Sequence, residues 1–329
     1  MFKVVMIHND NHPIPEWVDE KLRAAGIDWE YRQCETREDL QRWASDADVL
    51  WTNGTKYGLV VEENMDIFKK AGAVIKPGSG IDHIDHAACT KRGIIVAHSP
   101  NWPTESTSDH HIALLFSAVR QICHQDRRVR QGYWEQSAPP LAHLTGAQLG
   151  LIGFGRIGRM IAKKLSGFEM TVRVFDPYIS DDDLAGLSVQ RVDLETLLRQ
   201  SQFVHVACPL TDGTRGLLGE SELRLMRRDA ILVNAARGGI VDEAALGRAL
   251  REKWIAAAAV DVLEKHPRPG DEMLALDNLI ITPHSGGNRC DYPDGLYNDV
   301  VEDLVRMSRG RMPRWIVNKG VVPKWNLGE

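Results

Sequence analysis

Gly153-Phe154-Gly155-Arg156-Ile157-Gly158 stands directly after the apolar run 149–152 and opens an amphipathic stretch. Such a glycine pattern is weak evidence alone, but between a strand and a helix each glycine has a task. Gly153 makes a tight turn, Gly155 lets the backbone approach a pyrophosphate, and Gly158 permits close packing of helix on sheet. The first turn of the helix, with Arg156 and Ile157, offers unpaired backbone N–H groups to that anion. Eighteen residues beyond Gly158, the run 171–175 ends in Asp176, where a carboxylate suits the ribose of an adenosine. The same charge repels a 2′-phosphate, so the pattern predicts NAD rather than NADP.

Outward from this turn, short apolar runs at 171–175, 203–207, 230–234, 256–262 and 279–282 read as strands. The helical patterns at 157–165 and 242–253 supply crossovers, the signature of a doubly wound parallel sheet. Upstream, apolar runs at 3–7, 49–51, 73–75 and 94–96 alternate with helical patterns at 17–25 and 38–44, which predicts a second α/β domain. Ile112, Leu115, Phe116, Val119 and Ile122 keep near-helical spacing through 105–130, so one long helix is expected to bridge the domains. Residues 132–146, with Pro139 and Pro140, break that pattern. A last helix over 294–308 is expected to pack back onto the first domain, making it discontinuous.

The 329 residues exceed the usual size of one domain, and 43% hydrophobic with 26% charged residues is an ordinary globular composition. Forty basic and 45 acidic residues leave a net charge of -5 without a dense basic block, which argues against nucleic acid as a partner. No run is long and apolar enough to suggest a membrane span, and the N-terminus lacks the apolar core of a signal peptide, so a cytoplasmic protein is expected. Five scattered cysteines without a C-x-x-C suggest free thiols, mostly buried, rather than a disulfide framework or a zinc knuckle.

Further motifs resemble those of the D-2-hydroxyacid dehydrogenase family in order and along nearly the whole chain. They are Gly132-Tyr133-Trp134, Cys208-Pro209-Leu210-Thr211, Asn234-Ala235-Ala236-Arg237-Gly238-Gly239, Asp261-Val262-Leu263 and Thr282-Pro283-His284. The resemblance implies a Rossmann NAD-binding domain, residues 102–285, inserted in a flavodoxin-like substrate domain, residues 1–101 and 286–329. It implies a homodimer, with Trp134 on an arm that meets the partner subunit. Arg237 resembles the residue that grips the substrate carboxylate, a task suited to a permanently charged planar fork. His284 resembles the proton carrier, since imidazole titrates near neutral pH. Lys76, Gly78, Ser79 and Gly80 resemble the loop that holds the substrate carboxylate on backbone N–H groups. Lys76 itself reads either as a cation for a second acidic group or as a solvated surface lysine. Asn53, Gly54 and Thr55 follow a first-domain strand and are candidates to line the substrate pocket. Besides the glycine turn, Arg156, Ile157 and Asp176, the implied cofactor contacts are Pro177, Cys208, Pro209, Thr214, Ala235, Ala236, Asp261, His284 and Gly287. No metal is implied.

One departure stands out. Most of the family places a glutamate five residues after the aspartate equivalent to Asp261, where it supports the catalytic histidine; here that position is His266. Formate dehydrogenases carry an amide there, so the glutamate is not obligatory. The swap removes a negative charge that would favour a protonated partner. Two consequences are open: His266 and His284 act as a coupled dyad, or Glu264 takes over the support. The leading expectation is hydride transfer between nicotinamide and a 2-hydroxy acid/2-oxo acid pair. The alternatives are an NAD-sensing binding protein of the corepressor type and a formate- or phosphite-type dehydrogenase. His83, His86, His110 and His111 lie near the loops and the bridging helix; of these, His110 falls where the family often has a histidine.

Overall fold

The computed structural model describes every residue except 55, 136–139, 292 and 329. Two compact units emerge, Met1–Pro103 with Arg289–Glu329, and Thr104–Asn288.

In the first unit, β1 (Phe2–Asn9), β2 (Ile27–Tyr31), β3 (Val49–Asn53), β4 (Ala73–Pro77) and β5 (Ile95–Ser99) form a parallel sheet in the order β2-β1-β3-β4-β5. This is the flavodoxin-like order expected from the sequence. Every residue of β3 and β4 is buried, as happens when a parallel sheet is covered on both faces. Crossovers are made by α1 (Glu16–Ala24), α2 (Arg37–Trp43) and α3 (His86–Lys91). Thr36 and Asp39 start α2 with a capping box, each side chain bonded to the other's backbone N–H. Side chains alternate between two cores: Val5, Ile7, Leu50 and Val74 on one face, Val4, Met6, Trp51 and Ile75 on the other. The C-terminal helix, Asp294–Ser308, closes the second face with Tyr297, Val300 and Leu304.

The expected single helix over 105–130 is two, α4 (Trp102–Val119) and α5 (Ile122–Arg130). Gln121 between them adopts a left-handed conformation at φ 54°, and its N–H reaches Ala118 at 3.1 Å, so the helical ladder ends there.

In the second unit, β6 (Gln148–Ile152), β7 (Thr171–Phe175), β8 (Val189–Arg191), β9 (Phe203–Val206), β10 (Ile231–Asn234), β11 (Ala257–Val260) and β12 (Leu279–Ile281) pair in parallel as β12-β11-β10-β9-β6-β7-β8. This is the Rossmann order with one strand added at an edge, and the direction of winding reverses between β6 and β9. Its crossovers include α6 (Arg156–Leu165), α7 (Leu194–Gln200), α8 (Glu220–Leu225) and α9 (Glu243–Arg251). Leu246, Ala249 and Leu250 of α9 cover one face with Leu218 and Leu223, while Leu114, Leu115 and Ile161 cover the other.

The five cysteines are all free thiols, but only Cys34 and Cys89 are buried. Cys208 is half-buried and Cys123 and Cys290 are exposed, which corrects the expectation of mostly buried thiols. Cys123 lies in the first turn of α5, a helix with no buried residue, and Cys290 lies in a turn.

Candidate active and cofactor site

The loops after β12, β11, β10, β9, β6 and β7 carry His284, Asp261, Arg237, Cys208, Gly153 and Asp176, all at the carboxyl edge of one parallel sheet. That edge, at the point where winding reverses, is where open α/β sheets bind ligands.

Gly153 has φ +94°, and a Cβ there would lie 2.7 Å from the backbone nitrogen of Cys208. Only glycine fits, because the turn after β6 presses against the loop after β9. A Cβ on Gly158 would sit 2.3 Å from the carbonyl oxygen of Gly153, so α6 packs on the turn without a side chain between. Gly155 is different: it is exposed, and a Cβ there would meet nothing within 4 Å. The space before the α6 N-terminus is open, and it fits a pyrophosphate held on backbone N–H groups. Arg156 is exposed at the helix start, while Ile157 packs into the core beneath.

Asp176 binds the N–H of Phe154 at 2.8 Å with one carboxylate oxygen and that of Tyr178 at 2.9 Å with the other. Pro177 and Asp176 line a surface depression with Phe175, Arg191, Asp193 and Thr196. Arg191 pins the following loop, donating to the carbonyl of Ile179 at 2.6 Å. Beyond β9, Thr214 accepts the N–H of Thr211 at 2.8 Å and donates to the carbonyl of Pro209 at 2.6 Å, which closes the turn after Cys208. Burial pushes the Cys208 thiol up to about 11, which leaves it unreactive near neutral pH.

The Arg237 loop is built by Asn234. Its amide donates to the carbonyl of Arg237 at 3.0 Å and its oxygen accepts the N–H of Ala236 at 3.1 Å. Ala235 is buried below the loop, Ala236 is half-buried, and the Arg237 guanidinium donates to the carbonyl of Ala236 at 2.7 Å. A Cβ on Gly238 would lie 2.2 Å from the backbone of Leu263, so this loop and the one after β11 touch backbone to backbone. Glu264 pairs with Arg215 at 2.8 Å, and its N–H is held by Glu243. The ion pair of the Glu264 carboxylate with Arg215 is exposed. His266 is exposed, on the rim of a depression shared with Lys265, Arg268 and Asp271.

Asp261 organises the loop that bears His284. Its carbonyl accepts the N–H of His284 at 2.8 Å, and its carboxylate accepts those of Ser285 at 2.9 Å and Gly286 at 2.8 Å. Burial opposes ionisation of this carboxyl, but hydrogen bonds from His110, Thr282, Ser285 and Gly286 outweigh it and hold the pKa at about 2. His284 itself is exposed, with φ +52°, and Gly287 is tied to Ser106 at 3.2 Å through its carbonyl. Asn234, Thr282 and Arg191 carry structural roles that motif spacing does not reveal. Each is a polar residue at a strand end, which was the available signal.

In the first unit, Lys76 stands one residue before the end of β4 and is 7% exposed, donating to the carbonyl of Pro77 at 2.9 Å, so it is not a solvated surface lysine. Gly78 follows with φ +79°, and Ser79 and Gly80 continue the loop at the surface, where the Ser79 carbonyl lies 3.3 Å from His98 Nδ1. Asn53 is buried, and its amide donates to Asn9 at 3.0 Å and to Tyr297 at 2.9 Å. Gly54 lies against Asp10, whose carboxylate a Cβ would meet at 2.5 Å, and Thr55 lies outside the described residues. Trp134 is 86% exposed in the segment after α5. Among the described residues no three His, Cys, Asp or Glu side chains form a group that holds a metal, and no helix is long and apolar enough to cross a membrane.

Residues 112–286 match the profile of the D-isomer specific 2-hydroxyacid dehydrogenase, NAD binding domain. Among curated proteins, a D-3-phosphoglycerate dehydrogenase of Archaeoglobus fulgidus is 37% identical over 93% of this chain, which spans 58% of that protein's length. A glyoxylate reductase of Korarchaeum cryptofilum is 41% identical over 74% of this chain and 75% of its own. The crystal structure of a glyoxylate reductase from Paecilomyes thermophila superposes with a TM-score of 0.88 at 25% identity, covering 97% of this chain and 98% of that one. With a matching profile over the second unit and relatives aligned across both units, this chain belongs to the D-isomer specific 2-hydroxyacid dehydrogenase family.

Proposed function

We propose that the protein is an NAD-dependent dehydrogenase that interconverts a 2-hydroxy acid and its 2-oxo acid. One observation carries the reading: glycine turn, ribose acid, guanidinium and imidazole share the carboxyl edge of one Rossmann sheet. In this reading Gly153, Gly155 and the α6 N-terminus hold the pyrophosphate of NAD, and Asp176 holds the adenosine ribose and disfavours NADP. Pro177, Cys208, Pro209, Thr214, Ala235, Ala236, Asp261 and Gly287 line the rest of the cofactor. When bound, the nicotinamide takes up or supplies the hydride.

Arg237 holds the substrate carboxylate and polarises the adjacent carbonyl. His284 accepts the hydroxyl proton in oxidation and returns it to the carbonyl oxygen in reduction. Within the first unit, the backbone of Gly78, Ser79 and Gly80 is assigned N–H donors for a carboxylate, and Lys76 and Asn53 are assigned to substrate binding. His266 is assigned the place of a second imidazole next to this chemistry; a pH–rate profile of His266→Glu that overlays the wild type would remove that role. Residues 1–101 with 286–329 serve as the substrate domain and 102–285 as the cofactor domain. The exposed Trp134 arm supports a homodimer, and five free thiols support a reducing, cytoplasmic location.

Glyoxylate reductase and phosphoglycerate dehydrogenase relatives make small 2-oxo acids the first substrates to try. The test follows nicotinamide absorbance with NADH against a panel of 2-oxo acids and with NAD against 2-hydroxy acids, formate and phosphite, with His284→Ala as the blank. Turnover that disappears in the blank is expected. Tight NADH binding without turnover on any of them would overturn the reading in favour of a sensor.

A further inference from the structure

His284 takes a left-handed conformation, φ +52°, that a residue with a Cβ rarely adopts. Such a conformation persists only where the surroundings over-determine it. Here the determinant is the Asp261 carboxylate, which holds the two N–H groups that follow His284, those of Ser285 and Gly286. That carboxylate is itself held from behind. The Thr282 hydroxyl donates to Oδ1 at 2.6 Å, and His110 Nε2 lies 3.0 Å from Thr282 Oγ1 and 3.2 Å from Oδ1.

The direction of these bonds follows from proton counting. Thr282 has one hydroxyl proton and gives it to Asp261, which at its lowered pKa carries none. Both oxygens facing His110 are therefore acceptors, and Nε2 must carry a hydrogen. The ring is placed by α4: its neighbour His111 turns into the core against His205 at 3.2 Å, so His110 faces the loop. Packing leaves no slack, since a Cβ on Gly286 would lie 2.9 Å from Asp261 Oδ2 and 3.3 Å from the His110 ring.

We propose that His110, acting through Thr282 and Asp261, is a positioning residue that fixes the backbone of the loop bearing His284. The proposal rests on the reading of His284 as the proton carrier, and it assigns to α4 a part in catalysis without contact to the reacting atoms.

The experiment compares the full-length wild type with His110→Leu and His110→Gln, the second keeping a donor where Nε2 stood. The first readout is amide exchange at Ser285 and Gly286, with the central-strand amides of Leu232 and Val260 as the standard. His110→Leu is expected to speed exchange at both loop amides about tenfold while the standard stays fixed, as fits one lost hydrogen bond to a charged group. His110→Gln is expected to stay within about threefold of wild type. The second readout is kinetic: His110→Leu lowers kcat about tenfold with NADH affinity and KM nearly unchanged, and His110→Gln restores most of it.

Loop amides that stay protected in His110→Leu, or a glutamine variant as impaired as the leucine one, would overturn the proposal. If His110→Leu exposes the central strands as well, Thr282→Val takes its place, with the same pattern expected and protected loop amides again fatal. Should no 2-oxo acid be turned over, the functional reading fails, while the exchange readout still decides whether the clamp exists.

Discussion

The carboxylate of Asp176 ties the end of β7 to the glycine turn through the N–H of Phe154, at 2.8 Å. In the proposed function, one acid does two things: it fixes the turn assigned to the pyrophosphate, and it sets the charge at the place assigned to the ribose. Asp176→Ala is expected to weaken NADH binding by about tenfold to a hundredfold, the usual range for hydrogen bonds to a charged group. Its NADPH affinity should fall less, so that the preference for NADH narrows. Fluorescence titration with both cofactors measures this. Equal losses would confine Asp176 to shaping the turn.

The glycines of the turn should separate into a stability position and a binding position. Gly158→Ala forces a methyl to within 2.3 Å of a backbone oxygen that cannot yield, so a loss of about 1–3 kcal/mol is expected. Gly155→Ala projects into open space and should cost less than about 1 kcal/mol, mostly through the helix N-cap. Its NADH affinity should nevertheless drop if Gly155 holds the proposed place, because the methyl would occupy the space assigned to the pyrophosphate. Melting curves with and without NADH test both halves; a Gly155→Ala protein stabilised by NADH as fully as wild type would refute the assignment.

Both sheets were legible because parallel strands buried on two faces read as apolar runs, as β3, β4 and β10 do. The strands β2 and β8 were not, since IDWEY exposes two of its five residues and VQR two of its three, and neither contains such a run. The break at Gln121 was also invisible, because the apolar spacing continues to Ile122 while a single backbone angle ends the helix. At the site, glycines and motif residues marked the loops, but their internal bonding did not show. That Asn234 builds the Arg237 loop and that Lys76 is buried depend on where the chain folds back.

Thiol chemistry offers a check on burial that needs no substrate. Cys123 and Cys290 are exposed, whereas burial pushes the thiols of Cys34 and Cys89 up to about 12 and that of Cys208 to about 11. A chromogenic disulfide reagent at mildly alkaline pH should therefore titrate two thiols quickly in the native protein and the other three only after unfolding. Rapid reaction of a third thiol would show that the loop after β9 opens to solvent.

Asp261 should leave a signature in the acid stability of the protein. Its folded pKa, about 2, lies below the ordinary 3.8, so the stabilisation is complete above 3.8 and is lost as pH falls toward 2. For this buried group the difference corresponds to about 2 kcal/mol. Asp261→Asn has no such titration, and its NH2 replaces one carboxylate oxygen, so a donor faces the N–H of either Ser285 or Gly286. Urea unfolding should thus find the variant less stable by a constant amount between about pH 7 and pH 5, with the gap narrowing below about pH 4. A gap that stays constant down to about pH 2.5 would mean that the charge on Asp261 contributes nothing to folding, and that shape alone maintains the His284 loop.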